Sequence, residues 1–242
     1  MAGVSHVNKF GRTINADNTV LTDVWDAAAT PVWLTPTAPR IHAIASSDDT
    51  DGKTDAPASV GARTIRIYGL KTWDTAETTE DITLTGTDAV NTAYSYVIIH
   101  RMKVLTSGAS GPNAGLITAT SAVDAKVTAQ IVIGAGQTLM AIYGVPSTQT
   151  AYLTGYYSSV ERDSPQGADG EFQLRWTMDV ENSPTIFLVK HTWSTGDADA
   201  PYQHYYNPYN AFAGPGILKM SVTSDADDTH VDGGFDMILV DN

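Results

Sequence analysis

The chain contains no cysteine among its 242 residues. Disulfide bonds, thiolate metal sites and a cysteine nucleophile are therefore excluded, and the redox compartment is left open. Basic residues are also scarce, since 14 Lys and Arg stand against 27 Asp and Glu and give a formal net charge of -13. No basic run interrupts this acidity, so we expect no nucleic-acid partner, because phosphate binding depends on clustered cations.

Long apolar runs are missing as well. No run reaches the roughly 18 residues that a membrane helix needs, and the first residues, MAGVSHVNKFGR, lack the apolar centre of a secretory signal. We therefore expect no membrane association and no classical secretory signal. A convincing amphipathic helix is also absent, which leaves β-structure as the expected fold.

About ten segments alternate apolar and polar residues with period two, which is typical of half-buried strands. The clearest is residues 172–180, whose apolar members share one face and are predicted to line the core: Phe172, Leu174, Trp176, Met178 and Val180. Strands unbroken by helices predict an all-β protein, and long connections between them favour an antiparallel β-sandwich with jelly-roll-like connectivity.

Residues 136–162 are predicted to form the central hairpin of this sandwich. Both halves are rich in β-branched and aromatic side chains, which suit a pleated, buried surface. Pro146 lacks an amide hydrogen and should end the first strand, while Thr150 begins the second extended run.

Residues 1–40 are predicted to be an extended N-terminal arm, and residues 41–242 to be the sandwich domain. The arm contains three prolines and two tryptophans, Trp25 and Trp33, which are too apolar to remain in water. Because the arm lacks the continuous alternation needed to complete a sheet, we expect it to lie in a groove of its own domain or of a neighbouring subunit. The assembly hypothesis favours the neighbour.

Residues 195–216 are predicted to be a long loop with an unusual aromatic content. Tyrosine offers a rigid contact area with a polar tip, which suits both a protein interface and a sugar-binding platform. An interface is favoured because prolines stiffen the segment and no paired charges are ready to hold hydroxyl groups. The candidate interface residues are Trp25, Trp33, Tyr202, Tyr205, Tyr206, Tyr209 and Phe212.

The remaining candidates for chemistry fail their spacing tests. Four aspartates around Gly52 suggest calcium, but Lys53 would occupy a ligand position and no closing Glu follows, so a solvated acidic loop is expected. The same holds for the four aspartates between residues 225 and 232.

Two motifs of enzymes are also incomplete. Residues 134–139 lack the third glycine of a dinucleotide-binding loop, and Ser110 does not stand in the G-x-S-x-G motif of a nucleophile elbow. The six histidines are dispersed. We predict no catalytic residue, no metal and no cofactor.

Six motifs resemble a family of virion structural proteins of marine tailed bacteriophages. They are KFGR (9–12), VWD (24–26), GARTIRIYGL (61–70), GPNAGLITA (111–119), GQTLMAIYGVP (136–146) and TAYLTGYY (150–157). The resemblance implies a component of the virus particle and carries over no functional residue.

Two functions from different classes follow. The first is a non-enzymatic decoration or cement protein on the phage head, a homo-oligomer, in the simplest case a trimer, that contacts the major capsid protein or other virion proteins. The second is a carbohydrate-binding or receptor-binding module of a fibre or tail. The first predicts aromatic side chains buried between chains, and the second predicts exposed rings lining a groove.

Overall fold

A computed structural model describes residues 3–27, 33–52, 60–109, 111–161, 167–181 and 184–242. These ranges contain sixteen strands and no helix, so nothing in them is a helix long and apolar enough to cross a membrane. All strand pairs are antiparallel. The prediction of an all-β, antiparallel protein is confirmed.

The chain divides by internal contacts into two compact units. Unit 1 comprises Met1–Trp33, Met140–Val180 and Pro184–Asn242, and unit 2 comprises Leu34–Leu139 and Glu181–Ser183. Along the sequence, most of unit 2 is thus an insertion into unit 1. These two units differ from the predicted arm (residues 1–40) and sandwich domain (residues 41–242). Whether the predicted arm and domain fold independently stays a prediction.

Unit 1 contains two sheets, which we call sheet 1 and sheet 2. Sheet 1 has the strand order β1 (Val4–Ala16), β16 (Thr229–Asp241), β11 (Gln149–Glu161) and β14 (Tyr202–Ala213). Sheet 2 has the order β10 (Ile142–Val145), β15 (Gly216–Ser224), β12 (Asp169–Thr177) and β13 (Leu188–Gly196), and β2 (Thr22–Asp23) also pairs with β15. Spatial neighbours in each sheet are therefore mostly distant in sequence.

Side chains from both sheets of unit 1 meet in one hydrophobic core, which includes Leu153, Phe172, Leu174, Trp176 and Phe235. Four of the five residues predicted to line the core between positions 172 and 180 are buried. The prediction is wrong for Met178, which is 69% exposed, because β12 ends at Thr177 and the alternation does not continue beyond the strand.

The predicted central hairpin is wrong, although both of its strands exist. The strands β10 and β11 follow each other around Pro146, but β10 pairs with β15 in sheet 2 and β11 pairs with β14 and β16 in sheet 1. The proline turn therefore carries the chain from one sheet to the other. Turn chemistry signals a change of direction and does not specify the partner of either strand.

The N-terminal segment completes sheet 1 in its own chain. Strand β1 pairs with β16 from Val4 opposite Val240 to Ala16 opposite Thr229. The expectation that this segment could not complete a sheet is wrong for residues 4–16. Its alternation is hidden because Lys9 and Thr13 occupy buried positions, and because Gly11 faces the backbone of Val24, Met140 and Ala141, where a Cβ atom would not fit.

A buried ion pair joins β2 to sheet 2. The Asp23 carboxylate accepts hydrogen bonds from Lys219 Nζ at 2.9 Å, Ser221 Oγ at 2.7 Å and the Trp33 amide at 2.7 Å. Lys219 Nζ also lies 4.1 Å from the centre of the Phe187 ring. Both side chains of the ion pair are 2% exposed, and burial lowers the pKa of Lys219 while Asp23 opposes that change.

Unit 2 also contains two sheets. One has the order β6 (Val90–Asn91), β3 (His42–Ser46), β8 (Ile117–Ser121) and β9 (Val127–Ile131). The other has the order β5 (Thr78–Thr83), β4 (Ala62–Leu70) and β7 (Ile98–Ser107). Strand β4 shows why these segments form strands, since Ile65 and Ile67 are fully buried while Arg66 and Tyr68, which alternate with them, are partly exposed.

Candidate interaction surface

The aromatic segment is a strand and not the predicted loop. Strand β14 covers Tyr202–Ala213 and forms an edge of sheet 1 through its pairing with β11. Its side chains divide between two faces, as the period of a strand requires. Tyr202, His204 and Tyr206 are half-buried, whereas Tyr205 is 76% exposed and Tyr209 is 53% exposed.

The half-buried rings pack around Tyr156 of β11. The Tyr156 ring lies 5.1 Å from His204, 5.9 Å from Tyr206 and 6.2 Å from Tyr202, measured between ring centres. From β13, Trp193 lies 4.4 Å and His191 lies 5.5 Å from Tyr156. These rings connect the edges of the two sheets of unit 1, because β13 belongs to sheet 2 and β14 to sheet 1.

Polar atoms within this ring cluster have partners in the same chain. The Tyr156 hydroxyl is hydrogen-bonded to His191 Nδ1, and Trp193 Nε1 donates to Ser158 Oγ at 2.8 Å. Burial raises the pKa of Tyr156 and of Tyr206, and burial, with the adjacent His204, lowers the pKa of His191. The side chains of Tyr156, Tyr206 and His191 are therefore uncharged near neutral pH, and they pack as part of the fold.

The predicted interface residues thus fall into three groups. Trp25, Trp33 and Phe212 are buried, with exposures of 2%, 1% and 4%. Tyr202 and Tyr206 contribute rings to the cluster around Tyr156. Tyr205 and Tyr209 are the members that present large aromatic surfaces outward, and their contact with a second copy stays a prediction.

Charge is absent from the stretch that carries these tyrosines. Residues 200–218 include no Asp, Glu, Lys or Arg, in a chain with a formal net charge of -13. Like charges placed opposite each other disfavour association. The side chains of this strand therefore contribute no formal charge to the surface that they form.

An apolar cleft lies at the end of sheet 2 where β12 and β13 meet. It has a volume of about 290 Å³ and is lined by Trp176, Thr177, Met178, Asp179, Ile186, Leu188 and Lys190. Trp176 pairs with Leu188, after a register shift between Leu174 and Arg175. Ile186 and Leu188 are 72% and 61% exposed. Sequence reasoning missed this cleft, although the apolar run at residues 186–189 was a visible signal.

The acidic loop of unit 2 is organised around one buried aspartate. Asp51 is fully buried and accepts hydrogen bonds from Ser46 Oγ at 2.6 Å and from the amides of Ala62, Ala114 and Gly115 at 2.6, 2.9 and 2.9 Å. The expectation of a solvated loop is therefore wrong at Asp51, whose oxygens already bind backbone and hydroxyl donors. Asp55 lies outside the described residues, as does Ser110.

The other candidate ligands do not converge in the described part of the chain. No group of three or more His, Asp or Glu residues that could hold a metal is found in those ranges. Near the C-terminus, Asp225 and Asp227 accept hydrogen bonds from the backbone amides of Asp169 and Asn18 at 2.8 and 3.2 Å. These carboxylates therefore order neighbouring turns.

Two histidines are buried in unit 2. His42 is fully buried, its Nδ1 lies 3.0 Å from the Arg40 carbonyl, and burial lowers its pKa to about 4. His100 is 1% exposed, and its Nε2 lies 2.6 Å from the Glu77 carboxylate. His100 is therefore a buried residue of strand β7 that pairs with a carboxylate of the same unit.

Comparison with known proteins finds no match for this chain among protein-family models, curated proteins or solved structures.

Proposed function

We propose that the protein is a non-enzymatic structural component of a phage virion, a decoration or cement protein that associates with copies of itself on the head. The virion assignment rests on the six motifs that resemble phage structural proteins. The proposal of a structural protein built as a jelly roll rests on the strand order of unit 1, in which the chain passes repeatedly from one sheet to the other.

This strand order supports a jelly roll. The orders β1-β16-β11-β14 and β10-β15-β12-β13 interleave early and late strands, as two nested Greek keys do, and jelly rolls occur in viral capsid and lectin domains. A propeller-like arrangement of the four sheets is the alternative. Propeller blades are built from successive strands, whereas both sheets of unit 1 join strands that are distant in sequence, which favours the jelly roll.

Deleting residues 34–139 and bridging the gap with a short Gly-Ser linker tests this fold assignment. The two ends of the insertion both contact residues 23–25. The Trp33 amide donates to the Asp23 carboxylate at 2.7 Å, the Ala141 amide donates to the Val24 carbonyl at 2.8 Å, and Trp25 forms a β-bridge with Met140. A jelly roll should keep all of its strands and melt cooperatively, which circular dichroism would measure. A propeller would lose two of its four sheets and should unfold.

Deletion of residues 3–16, which removes β1, is the matched control that should unfold unit 1.

Association on the particle is tested by removing and restoring the protein. Virions stripped of the protein should rebind the recombinant chain on the head in a saturable manner, as seen by electron microscopy of labelled particles. The exposed tyrosines of β14 and the absence of charge around them support contacts with other protein surfaces. Rebinding confined to tails or fibres would contradict the decoration role.

One observation favours the second candidate, a carbohydrate-binding module. A surface depression of about 600 Å³ is lined by Tyr206, Asn207, Pro208 and Tyr209. It combines aromatic rings with an amide, and such a combination suits neutral sugars. Retention of the chain on host-cell polysaccharide, with failure to bind stripped heads, would favour this function over the first.

A further inference from the structure

Sheet 1 has an outer face, formed by the residues that alternate with its core residues. In β16, Phe235 and Met237 belong to the core, so the residues between and beside them lie on the opposite face of the sheet. The register of the four strands places two neighbouring rows of residues across this outer face. One row is Asn8, Asp236, Gly155 and Tyr205, and the other is Phe10, Gly234, Tyr157 and Gln203.

Two tyrosine side chains lie over glycines on this outer face. A Cβ atom on Gly155 would stand 3.0 Å from Tyr205 Cδ1, and a Cβ atom on Gly234 would stand 2.8 Å from Tyr157 Cζ. The two tyrosines are diagonal neighbours on adjacent strands, which places their Cα atoms roughly 7 to 8 Å apart. The Tyr205 hydroxyl donates to Gln203 Oε1 at 3.2 Å. The glycines therefore leave room for a pair of aromatic rings along the sheet.

Amide and carboxylate groups stand beside the two rings. Asn8 Nδ2 donates to Asp236 Oδ1 at 2.8 Å, and Asp236 is half-buried. Burial raises the pKa of Tyr157, the Asp236 and Asp232 carboxylates act in the same direction, and Asn8 opposes them. The Tyr157 hydroxyl therefore stays protonated near two carboxylates, whose oxygens have several lone pairs each for further hydrogen-bond donors.

This combination of groups matches the chemistry of a sugar ring. The C–H groups of a pyranose form an apolar face that can pack on an aromatic ring, and its hydroxyls can donate to carboxylates and accept from amides. Asp232 and Asp236 lie on this face in a chain with a formal net charge of -13. Like charges disfavour association, so an anionic polymer or a second copy of this chain is a poorer occupant than a neutral sugar chain.

We infer that the outer face of sheet 1 binds a neutral polysaccharide, with its sugar rings packed on Tyr157 and Tyr205. The inference rests on the second candidate function, the carbohydrate-binding module, and assigns it a surface. The depression at residues 206–209 contains neither of these two rings. Binding of sugar here is compatible with a position on the head or on a fibre.

Electrophoresis of the native full chain, in gels that each contain one polysaccharide, tests the inference. Hydroxyethyl cellulose, laminarin, galactomannan and dextran are the neutral probes, and alginate is the anionic probe. At least one neutral polysaccharide should retard the chain more strongly than alginate does. Tyr205→Ala should weaken that binding by about tenfold, because the ring supplies the packing surface, whereas Tyr205→Phe keeps the ring and should bind. No retardation by any neutral probe, or retardation by alginate that is at least as strong, would overturn the inference.

Two exposed tyrosines provide matched controls. Tyr209 is 53% exposed on the same strand and lines the depression, and Tyr94 of unit 2 is 46% exposed. Tyr209→Ala and Tyr94→Ala should bind as the wild type does, and melting curves confirm that each variant is folded. Loss of binding in Tyr209→Ala with full binding in Tyr205→Ala would overturn the inference, while the carbohydrate-binding function would remain through the depression.

An NMR titration with an oligosaccharide of the retained polysaccharide locates the contact directly. Amide shifts should concentrate at residues 155–157, 203–205 and 234–236. Shifts that concentrate at residues 206–209 or in unit 2 would overturn the inference. A chain that rebinds stripped heads and binds no polysaccharide would also overturn it, and would leave the decoration role in place.

Discussion

Replacing Asp23 with alanine is expected to lower the free energy of unfolding of unit 1 by about 3 to 5 kcal/mol, the range for breaking a buried ion pair. The substitution leaves the Lys219 ammonium group, which is 2% exposed, without its carboxylate partner. It also removes the acceptor of Ser221 Oγ and of the Trp33 amide. Urea denaturation of the purified variant, followed by tryptophan fluorescence, measures the loss.

Two controls separate the effect of the unpaired Lys219 ammonium group from a simple loss of contacts. The double variant Asp23→Leu/Lys219→Met removes both charges and should recover the part of the loss that comes from the unpaired ammonium group, because well-packed apolar side chains replace buried ion pairs at little cost. Both variants lack the carboxylate that accepts from Ser221 Oγ and the Trp33 amide, so the difference between them reports the charge. His6→Ala removes an exposed partner of Asp236 in the same unit, and exposed pairs contribute about 0 to 1 kcal/mol. Equal loss in the single and double Asp23 variants would show that the uncompensated lysine is not the cause.

Unit 2 is expected to lose about 3 kcal/mol of stability between pH 6.5 and pH 4 through His42, at 1.36 kcal/mol for each pH unit of pKa difference. Burial holds the pKa of His42 at about 4 in the folded chain, against 6.5 for an exposed histidine, although Asp124 and the Arg40 carbonyl oppose the change. Below pH 6.5 the unfolded chain therefore binds a proton that the folded chain does not bind. Stability then falls as the pH falls.

The variant His42→Asn should flatten this pH dependence, because the asparagine amide can still donate to the Arg40 carbonyl but does not titrate. Hydrogen–deuterium exchange of the amides of β3 and β8 at pH 7, 5.5 and 4.5 reports the stability of the sheet that holds His42. The exposed His230 provides the control His230→Asn, which should behave as the wild type. An unchanged pH dependence in His42→Asn would assign the acid sensitivity to other groups.

Most strands of the fold could be predicted because their two faces differ in polarity. The alternation at Phe172, Leu174 and Trp176 identified the inner face of β12 from the sequence. Strand β1 was not recognised because Lys9 and Thr13 point to its buried side, which removes the apolar period. Strand β14 was interpreted as a loop because tyrosines occupy both of its faces and Pro208 indicates a turn.

The candidate site could be predicted only in part. Tyrosine content drew attention to Tyr205 and Tyr209, which are exposed on β14, but the exposed and buried members could not be separated until the strand was assigned. The apolar cleft depends on the point at which β12 ends and on the register shift opposite β13. The pair of Asp23 and Lys219 joins residues 196 positions apart. Such pairings follow from tertiary structure and have no local sequence signature.

The pairing of β1 with β16 also determines when sheet 1 can form. Val4 lies opposite Val240 and β11 contacts β16 along most of its length, so during synthesis sheet 1 stays incomplete until residues 229–241 have left the ribosome. The sheets of unit 2 use strands between residues 42 and 131 and depend on shorter loop closures, which are faster. Both sheets of unit 2 can therefore form on the nascent chain while β1 still lacks its partner.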